Sequence, residues 1–96
     1  MTGPAAVTVT VRYWAAARAA AGTREEHLEA ETLAQALFIV RERHDAAFSR
    51  LLGICSLVVD EVPVGRRDPA EVALRANSVI EVLPPFAGGA AGRCSL

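Results

Sequence analysis

The chain has 96 residues and a net charge of −1, with 52% apolar and only 5% aromatic residues. This length suits one small domain, and the composition predicts a single core built mainly from alanine, valine and leucine. The near-neutral charge argues against nucleic acid as a partner, because such binding depends on an excess of cations that displaces counterions from phosphates. All ten basic residues are arginine, so the chain has no lysine amine for Schiff-base or amide chemistry.

Membrane insertion, secretion and metal binding are not indicated. No stretch approaches the about 20 apolar residues of a membrane span, and residues 1–14 lack the charged start and long apolar run of a secretory signal. Cys55 and Cys94 are too few for a disulfide framework or a four-ligand metal site. His27 and His44 lie far apart without neighbouring ligands. We therefore expect a soluble, cytoplasmic protein with no metal site.

The first elements are predicted to be a strand, a short helix and a second strand. Residues 7–14 (VTVTVRYW) alternate between two faces and are rich in β-branched residues, which is typical of a strand buried on one face. The face predicted to be buried consists of Val7, Val9, Val11 and Tyr13. The alanine-rich residues 15–21 favour a short helix that Gly22 is suited to end. Residues 23–30 (TREEHLEA) indicate a polar edge strand that leads back along the first.

The clearest helix signal begins at Thr32. A threonine followed three residues later by Gln35 is a capping box, in which two side chains satisfy free N–H groups at the helix start. Residues at helical spacing then form one face, which consists of Leu33, Ala36, Leu37, Val40 and His44. Residues 46–53 (AAFSRLLG) indicate a loop or a short helix that ends at Gly53.

Residues 54–65 (ICSLVVDEVPVG) indicate a buried strand followed by a turn. Proline cannot donate a hydrogen bond to a sheet ladder, so Pro63 argues for an edge position or a bulge. Residues 66–78 (RRDPAEVALRANS) are expected to be connecting structure with a turn at Asp68-Pro69.

Residues 79–83 (VIEVL) predict a last strand. Ile80 and Val82 lie on one face of it, and the opposite face carries Val79, Glu81 and Leu83. The whole order is then two strands, one long helix, one or two strands and a final strand. This order predicts an α+β architecture, in which a sheet is covered by helices on one face.

The last predicted strand runs directly into the sequence LPPFAGG at residues 83–89. Two prolines fix the backbone angle φ and keep the chain stiff and extended as it leaves the sheet. The glycine pair has no Cβ, so it can enter a slot too narrow for any other residue, and it leaves its own carbonyl carbon open to attack. These residues predict an arm that presents a carboxylate in the active site of another protein.

With this arm, the chain resembles the ubiquitin-like β-grasp sulfur carriers, most closely the small subunit of molybdopterin synthase (MoaD/ThiS-like). The motifs that carry the resemblance are Tyr13-Trp14, ARAAAG, the capped helix from Thr32, LVVDEVPV and VIEVLPPFAGG. The resemblance implies a ubiquitin-like β-grasp fold, in which a mixed sheet packs on one main helix. The implied division is a flexible N-terminus (1–6), a β-grasp domain (7–83), an extended arm (84–89) and a carboxyl-terminal extension (90–96).

The resemblance also implies a chemistry and a set of partners. In the family, an E1-like enzyme uses ATP to adenylate the terminal glycine carboxylate, and a sulfur donor then converts the adenylate to a thiocarboxylate. The sulfur passes to a pterin precursor on the large subunit, with which the carrier forms a heterotetramer. Here this implies that Gly89 is the reactive residue, and that Gly88, which has no side chain, lets the chain enter a narrow active-site channel. The chain would be a non-catalytic subunit that binds no cofactor alone, with ATP and the sulfur donor acting through the activating enzyme.

Five further residues match family positions that contact partners. Trp14, Pro63 and Leu83 match apolar docking positions, Phe86 stands where relatives often carry a smaller aliphatic residue, and Arg18 matches an arginine that could pair with a partner carboxylate. The strand pattern puts Trp14 and Leu83 on faces opposite to the apolar ones, and an exposed apolar patch beside the arm is what docking needs. The sequence leaves open whether Trp14 is instead covered on the second sheet face, and whether Arg18 is only a solvated helix residue.

Residues 90–96 (AAGRCSL) depart from the family pattern, in which most chains end at the glycine pair. They leave Gly89 in an amide bond, and at 3.3–3.6 Å per residue they would overshoot a buried slot by about 25 Å. Some family members carry a short tail that a JAMM-type metalloprotease removes. The resemblance therefore implies cleavage of the Gly89–Ala90 bond before the arm can work.

Three functions from different classes stay open on the sequence. The first is the small subunit of molybdopterin synthase, in molybdenum cofactor biosynthesis. The second is a sulfur carrier for another pathway, such as cysteine, thiamin or a specialised metabolite. The third is a non-catalytic β-grasp interaction module whose glycine pair has no chemical role. Alone, the chain is expected to be a monomer.

Overall fold

A computed structural model describes residues 6–85 of the chain, which form one mixed five-stranded sheet and its covering helices. The strands are β1 (Val7–Tyr13), β2 (Glu25–Ala30), β3 (Ser56–Val59), β4 (Val62–Pro63) and β5 (Val79–Leu83). The helices are α1 (Ala15–Ala21), α2 (Leu33–Arg43) and α3 (Ala46–Leu52), and a short 3₁₀ helix spans Pro69–Glu71. None of the helices within residues 6–85 is long and apolar enough to cross a membrane.

The strands lie in the order β2-β1-β5-β3-β4. The two central strands, β1 and β5, run parallel, with Val11 opposite Ile80 and Tyr13 opposite Val82. Every other neighbouring pair is antiparallel. The first and last strands of the domain therefore lie side by side at the centre of the sheet. Because they run parallel, their carboxyl ends lie at the same end of the sheet.

One face of the sheet forms the core and carries all three α-helices. The buried side chains of β1 and β5 are Val9, Val11, Tyr13, Ile80 and Val82, which confirms the predicted alternation of both strands. The helices contribute Ala17 from α1, Leu33, Ala36, Leu37 and Val40 from α2, and Phe48 and Leu52 from α3. The predicted α+β class, with helices on one face of the sheet, is confirmed.

Local signals explain where the helices begin and end. The hydroxyl of Thr32 accepts a hydrogen bond from the N–H of Gln35 at 3.2 Å, as predicted, while the Gln35 side chain accepts from the N–H of Glu31 at 2.6 Å, one residue earlier than in a standard capping box. Asp45 caps α3, since its carboxylate accepts from the N–H of Phe48 at 2.9 Å. Gly22 ends α1 with φ of +77°, the left-handed conformation that favours glycine.

Residues 66–78 are more ordered than the predicted connection. Val72 and Leu74 are buried in the core. The segment pairs with the start of α2, where the N–H of Leu33 donates to the carbonyl of Val72 and the N–H of Leu74 donates to the carbonyl of Glu31, both at 2.9 Å. The prediction missed this because the two apolar residues stand among polar ones in a run too short to show a period.

The β3–β4 hairpin turns through Asp60 and Glu61, both with positive φ (+50° and +71°). The Asp60 carboxylate holds the turn by accepting hydrogen bonds from the Ser78 hydroxyl at 2.8 Å and from the N–H of Val79 at 2.9 Å. The turn is therefore tied to the first residue of β5. Pro63 lies in the outermost strand, which confirms its predicted edge position.

Candidate docking face and carboxyl-terminal arm

The sheet face opposite the helices is open, and its apolar side chains gather where β1 and β5 end. Trp14 follows β1 directly, and its N–H donates to the carbonyl of Val82 at 3.2 Å. One residue further along β5 is Leu83, so Trp14 and Leu83 lie at adjacent positions at this end of the sheet. Trp14 is 39% exposed and Leu83 is half-buried. The structure thus brings together the two residues that the sequence placed beside the arm.

Pro63 extends this surface across the sheet. It is exposed and pairs with Val58, which in turn pairs with Glu81. Because paired residues point to the same face, Pro63 and Val58 share the open face with Leu83. We name Trp14, Val58, Pro63 and Leu83 the candidate docking face; Val58 was not predicted as a site residue, although the alternation of β3 could have indicated it.

Arg18 lies beside Trp14 and helps to hold it. Its Nε donates to the carbonyl of Tyr13 at 3.4 Å, and its guanidinium carbon lies 5.7 Å from the centroid of the Trp14 ring. A cation over an indole at an exposed site contributes about 0.5–1 kcal/mol. Arg18 therefore touches the candidate docking face instead of being only a solvated helix residue.

Charged groups border the candidate docking face on the side of β2. Arg12 reaches Glu25 on β2 at 3.5 Å and Glu81 on β5 at 3.8 Å. A small concavity beside Trp14 is lined by Arg12, Arg18, Arg24 and Glu25. Three guanidinium groups against the carboxylates of Glu25 and Glu81 leave this border with a net positive charge, which favours a partner with acidic side chains at the matching place.

Behind the same end of the sheet, the core contains a polar cluster that the sequence analysis missed. Tyr13 is fully buried, and its hydroxyl donates to the Glu26 carboxylate at 3.2 Å. The Glu26 carboxylate also contacts Nε2 of His44, and Nη1 of Arg43 at 3.1 Å. We call Tyr13, Glu26, Arg43 and His44 the buried polar cluster, in which only Arg43, with a side chain that is 44% exposed, reaches the surface. The alternation of β2 could have indicated it, since an inward-facing glutamate needs partners.

Burial and charge shift two pKa values in this cluster. Burial raises the pKa of Tyr13, and the neighbouring Glu26 carboxylate raises it further. Burial by itself would raise the pKa of Glu26, but hydrogen bonds from His44 and Arg43 outweigh it and hold the pKa of that carboxyl below its usual range. The rings of Tyr13 and Phe48 meet edge to face at 5.6 Å between centroids. This cluster is a structural anchor in the core, facing away from the open face.

The arm and its extension lie mostly outside the described residues. Pro84 and Pro85 follow β5 directly, and Pro85 is exposed. The predicted site residues Phe86, Gly88 and Gly89 and the extension 90–96 are not among the described residues. Within residues 6–85, no cluster of three or more histidine, cysteine, aspartate or glutamate side chains could hold a metal ion.

A sequence model of the ThiS family matches residues 11–89. The chain belongs to the ThiS family. The match begins within β1, covers all three helices, β5 and the arm, and ends at Gly89, the second glycine of the pair. A comparison with curated protein sequences finds no significant match.

Solved structures show the same fold as this ThiS-family chain. Small archaeal modifier protein 1 from Methanosarcina acetivorans is 23% identical over 88% of this chain and 98% of its own, with a TM-score of 0.75. The corresponding protein from Haloferax volcanii is 21% identical over 85% and 99%, with a TM-score of 0.70. A complex of subunits 1 and 2 of the molybdopterin-converting factor from Helicobacter pylori contains a chain that is 23% identical over 86% and 100%, with a TM-score of 0.66. The fold is therefore a ubiquitin-like β-grasp, as the sequence resemblance implied.

Proposed function

We propose that this chain is a sulfur carrier whose carboxyl-terminal residue, after removal of residues 90–96, is Gly89. An E1-like enzyme adenylates the Gly89 carboxylate, a sulfur donor converts it to a thiocarboxylate, and the thiocarboxylate donates sulfur in molybdenum cofactor biosynthesis. One observation carries the proposal. The central strand β5, which ends beside the exposed Trp14, leads directly into a segment whose glycine pair ends at Gly89, where the match to the ThiS family also ends.

The chemistry explains why an activating partner is needed. A carboxylate is a poor electrophile, because its oxygen is a poor leaving group. Attack of the Gly89 carboxylate on the α-phosphate of ATP forms a C–O–P linkage and releases pyrophosphate. A donor that supplies sulfur at the sulfide level, such as hydrosulfide, then attacks the carbonyl carbon, so that a C–S bond forms, the C–O bond to phosphate breaks and AMP leaves. The sequence has no phosphate-binding loop of the glycine-rich lysine type, since it has no lysine, so the activating enzyme would hold ATP.

The candidate docking face supports a protein partner on the open side of the sheet. An aromatic anchor with apolar neighbours and a charged border has the composition of an energetic centre of an interface. In the Helicobacter pylori structure, subunit 1 of the molybdopterin-converting factor is bound to subunit 2. By analogy, this chain would bind a large subunit through Trp14, Pro63, Leu83 and Phe86, with Arg18 at the border, and two carriers would flank a central dimer.

The extension 90–96 is proposed to be removed by a metalloprotease of the JAMM type, which would cut the Gly89–Ala90 bond. Without this cut Gly89 is an amide and cannot be adenylated. A mass spectrum of the protein isolated from its native host tests this step. A mature chain that ends at Gly89 would support it, whereas active protein that retains residue Leu96 throughout would rule it out.

Reconstitution tests the activation step. Chains 1–89, 1–88 and 1–96 are incubated with an E1-like enzyme, ATP and a sulfur donor, and intact masses are compared. We expect exchange of one oxygen for sulfur in the chain 1–89 alone. Equal labelling of 1–96, or no labelling of 1–89 by an enzyme that labels its own carrier, would contradict the proposal and favour a non-catalytic interaction module. Adding a pterin precursor with its large subunit, or an amino-acid intermediate, then identifies the sulfur acceptor.

A second candidate function is favoured by the structural likeness to small archaeal modifier protein 1, whose name describes a protein modifier. The same adenylate can be attacked by an amine of another protein instead of by sulfur. An amide then forms at Gly89 and AMP leaves. A carrier–protein conjugate in the host, with Gly89 joined to a lysine of the target, would support this function. A free thiocarboxylate without conjugates would support the sulfur carrier alone.

A further inference from the structure

The carrier has no side-chain amine that could attack the carbonyl carbon of its own activated Gly89. The sequence contains ten arginines and no lysine. Guanidinium groups stay protonated, with pKa values above about 12, so they do not attack a carbonyl carbon at neutral pH. The exposed His27 could form only an acyl-imidazole, which water cleaves.

The strong nucleophiles among residues 6–85 are the side chains of Cys55 and Tyr13, and each is at least half-buried and hydrogen-bonded. Cys55 is half-buried, its thiol donates to the carbonyl of Leu51 at 3.2 Å, and burial raises the pKa of that thiol. The hydroxyl of Tyr13 is fully buried and bonded to Glu26. The remaining cysteine, Cys94, lies in the extension whose removal is proposed.

The lack of lysine has its largest consequence near the end of β5, where the arm begins. Arg12, Arg18 and Arg24 line the concavity beside Trp14, next to the end of β5. Six residues, 84–89, follow β5, and an extended segment of that length reaches about 20 Å. A lysine in this concavity would meet an activated Gly89 at an effective concentration on the order of millimolar. Arginine supplies the same positive charge without a competing amine.

We infer that the mature carrier is a one-way acyl donor, whose activated Gly89 passes to a sulfur donor or to another protein and never to a side chain of the carrier itself. The inference rests on the proposed function and extends it. Its consequence is that copies of the carrier do not become linked to one another through side chains. Any protein conjugate then holds one carrier for each acceptor side chain.

The test uses residues 1–89 prepared as a Gly89 thioester of a small thiol, with the N-terminal amine acetylated. This form keeps every described residue of the fold. It requires no activating enzyme, so its result is independent of whether Gly89 is thiocarboxylated in the reconstitution above. When an amine attacks, a C–N bond forms, the C–S bond breaks, and the thiol leaves after taking up the proton lost by the amine.

Intact mass spectrometry follows the products of the wild-type thioester and of two variants. We expect the wild type to give only the hydrolysed acid, and to give the amide when Nα-acetyl-lysine amide is added. Arg24→Lys introduces an exposed amine in the concavity near the end of β5 and should form an intramolecular amide at least tenfold faster than Arg75→Lys. Arg75→Lys, an equally conservative change at an exposed residue before the start of β5, should form little of it.

Two results would overturn the inference. One is a covalent dimer or an intramolecular amide of the wild type that maps to one of its side chains. The other is an Arg24→Lys chain that folds, reacts with the added amine and yet gains no intramolecular amide, because the absence of lysine would then have no consequence near the arm.

Discussion

Two consecutive aromatic residues at the end of β1 lie in opposite environments. Tyr13 is fully buried and hydrogen-bonded within the buried polar cluster, whereas Trp14 is 39% exposed on the candidate docking face. The pleat of a strand alternates its side chains, so a single step along the chain separates a residue that holds the core from one available to a partner. The difference predicts two separate roles for this Tyr-Trp pair, which stability and binding measurements can tell apart.

The largest expected effect is on the buried member of the pair. Tyr13→Ala removes a fully buried ring and leaves the Glu26 carboxylate without one of its donors, so the free energy of unfolding should fall by about 3–5 kcal/mol. Trp14→Ala should lower it by less than about 1 kcal/mol, because the ring is partly solvated already. Urea unfolding of both variants measures the difference. Equal losses of unfolding free energy in Tyr13→Ala and Trp14→Ala would show that the two residues do not differ in their contribution to stability.

Binding should show the opposite order. If Trp14 is an interface anchor, Trp14→Ala should weaken binding to a large subunit by about 2 kcal/mol or more, roughly thirtyfold. Phe38→Ala is a matched control, since Phe38 is a 62% exposed aromatic residue on α2, on the helix side of the sheet. Titration calorimetry with the partner measures both affinities. A similar affinity for Trp14→Ala and Phe38→Ala would remove Trp14 from the docking face.

The buried polar cluster should make stability depend on pH. The pKa of Glu26 is lowered in the folded state, so the unfolded chain takes up a proton first as pH falls. The stability contributed by Glu26 is therefore fully present above its unfolded pKa of about 4.3 and is lost as pH falls through the folded value. Glu26→Gln should cost about 1–3 kcal/mol at pH 7 and flatten the stability curve below about pH 4.5. Chemical unfolding from pH 7 to pH 3 measures this. An unchanged slope in the variant would show that Glu26 does not carry the acid dependence.

The smallest expected effect concerns the β3–β4 hairpin, which borders Pro63. Glu61 has φ of +71°, a left-handed conformation that is strained for any residue except glycine. Glu61→Gly removes this strain but loses more conformational entropy on folding, so the net stabilisation should be about 0.5 kcal/mol. Asp60→Gly is the matched control and should destabilise by about 1 kcal/mol, because it removes the two hydrogen bonds to Ser78 and Val79. Thermal unfolding ranks the two variants. A partner affinity that changes with Glu61→Gly would show that the hairpin shapes the docking face.

Strong local patterns predicted most of the fold. The alternation of residues 7–14 and 79–83, the capped start at Thr32, the glycine after α1 and the edge proline all agree with the structure, because each reports a local preference of the backbone. Val72 and Leu74 were missed, because a packed connection of this kind has no period. His44 packs on the apolar side as predicted, against Tyr13 and Phe48, but it caps α2 and its ring also contacts Glu26, which the sequence did not indicate.

The sequence by itself determined that this is a small α+β domain with an arm that ends in a glycine pair, because periodicity, capping residues and prolines act over a few residues. It also determined that the chain has no lysine. Only the tertiary structure decided that Trp14, Val58, Pro63 and Leu83 share one open face, and that Tyr13, Glu26, Arg43 and His44 meet beneath it. These groups come from strands and helices far apart in the chain, and the register of a parallel first and last strand brings them together.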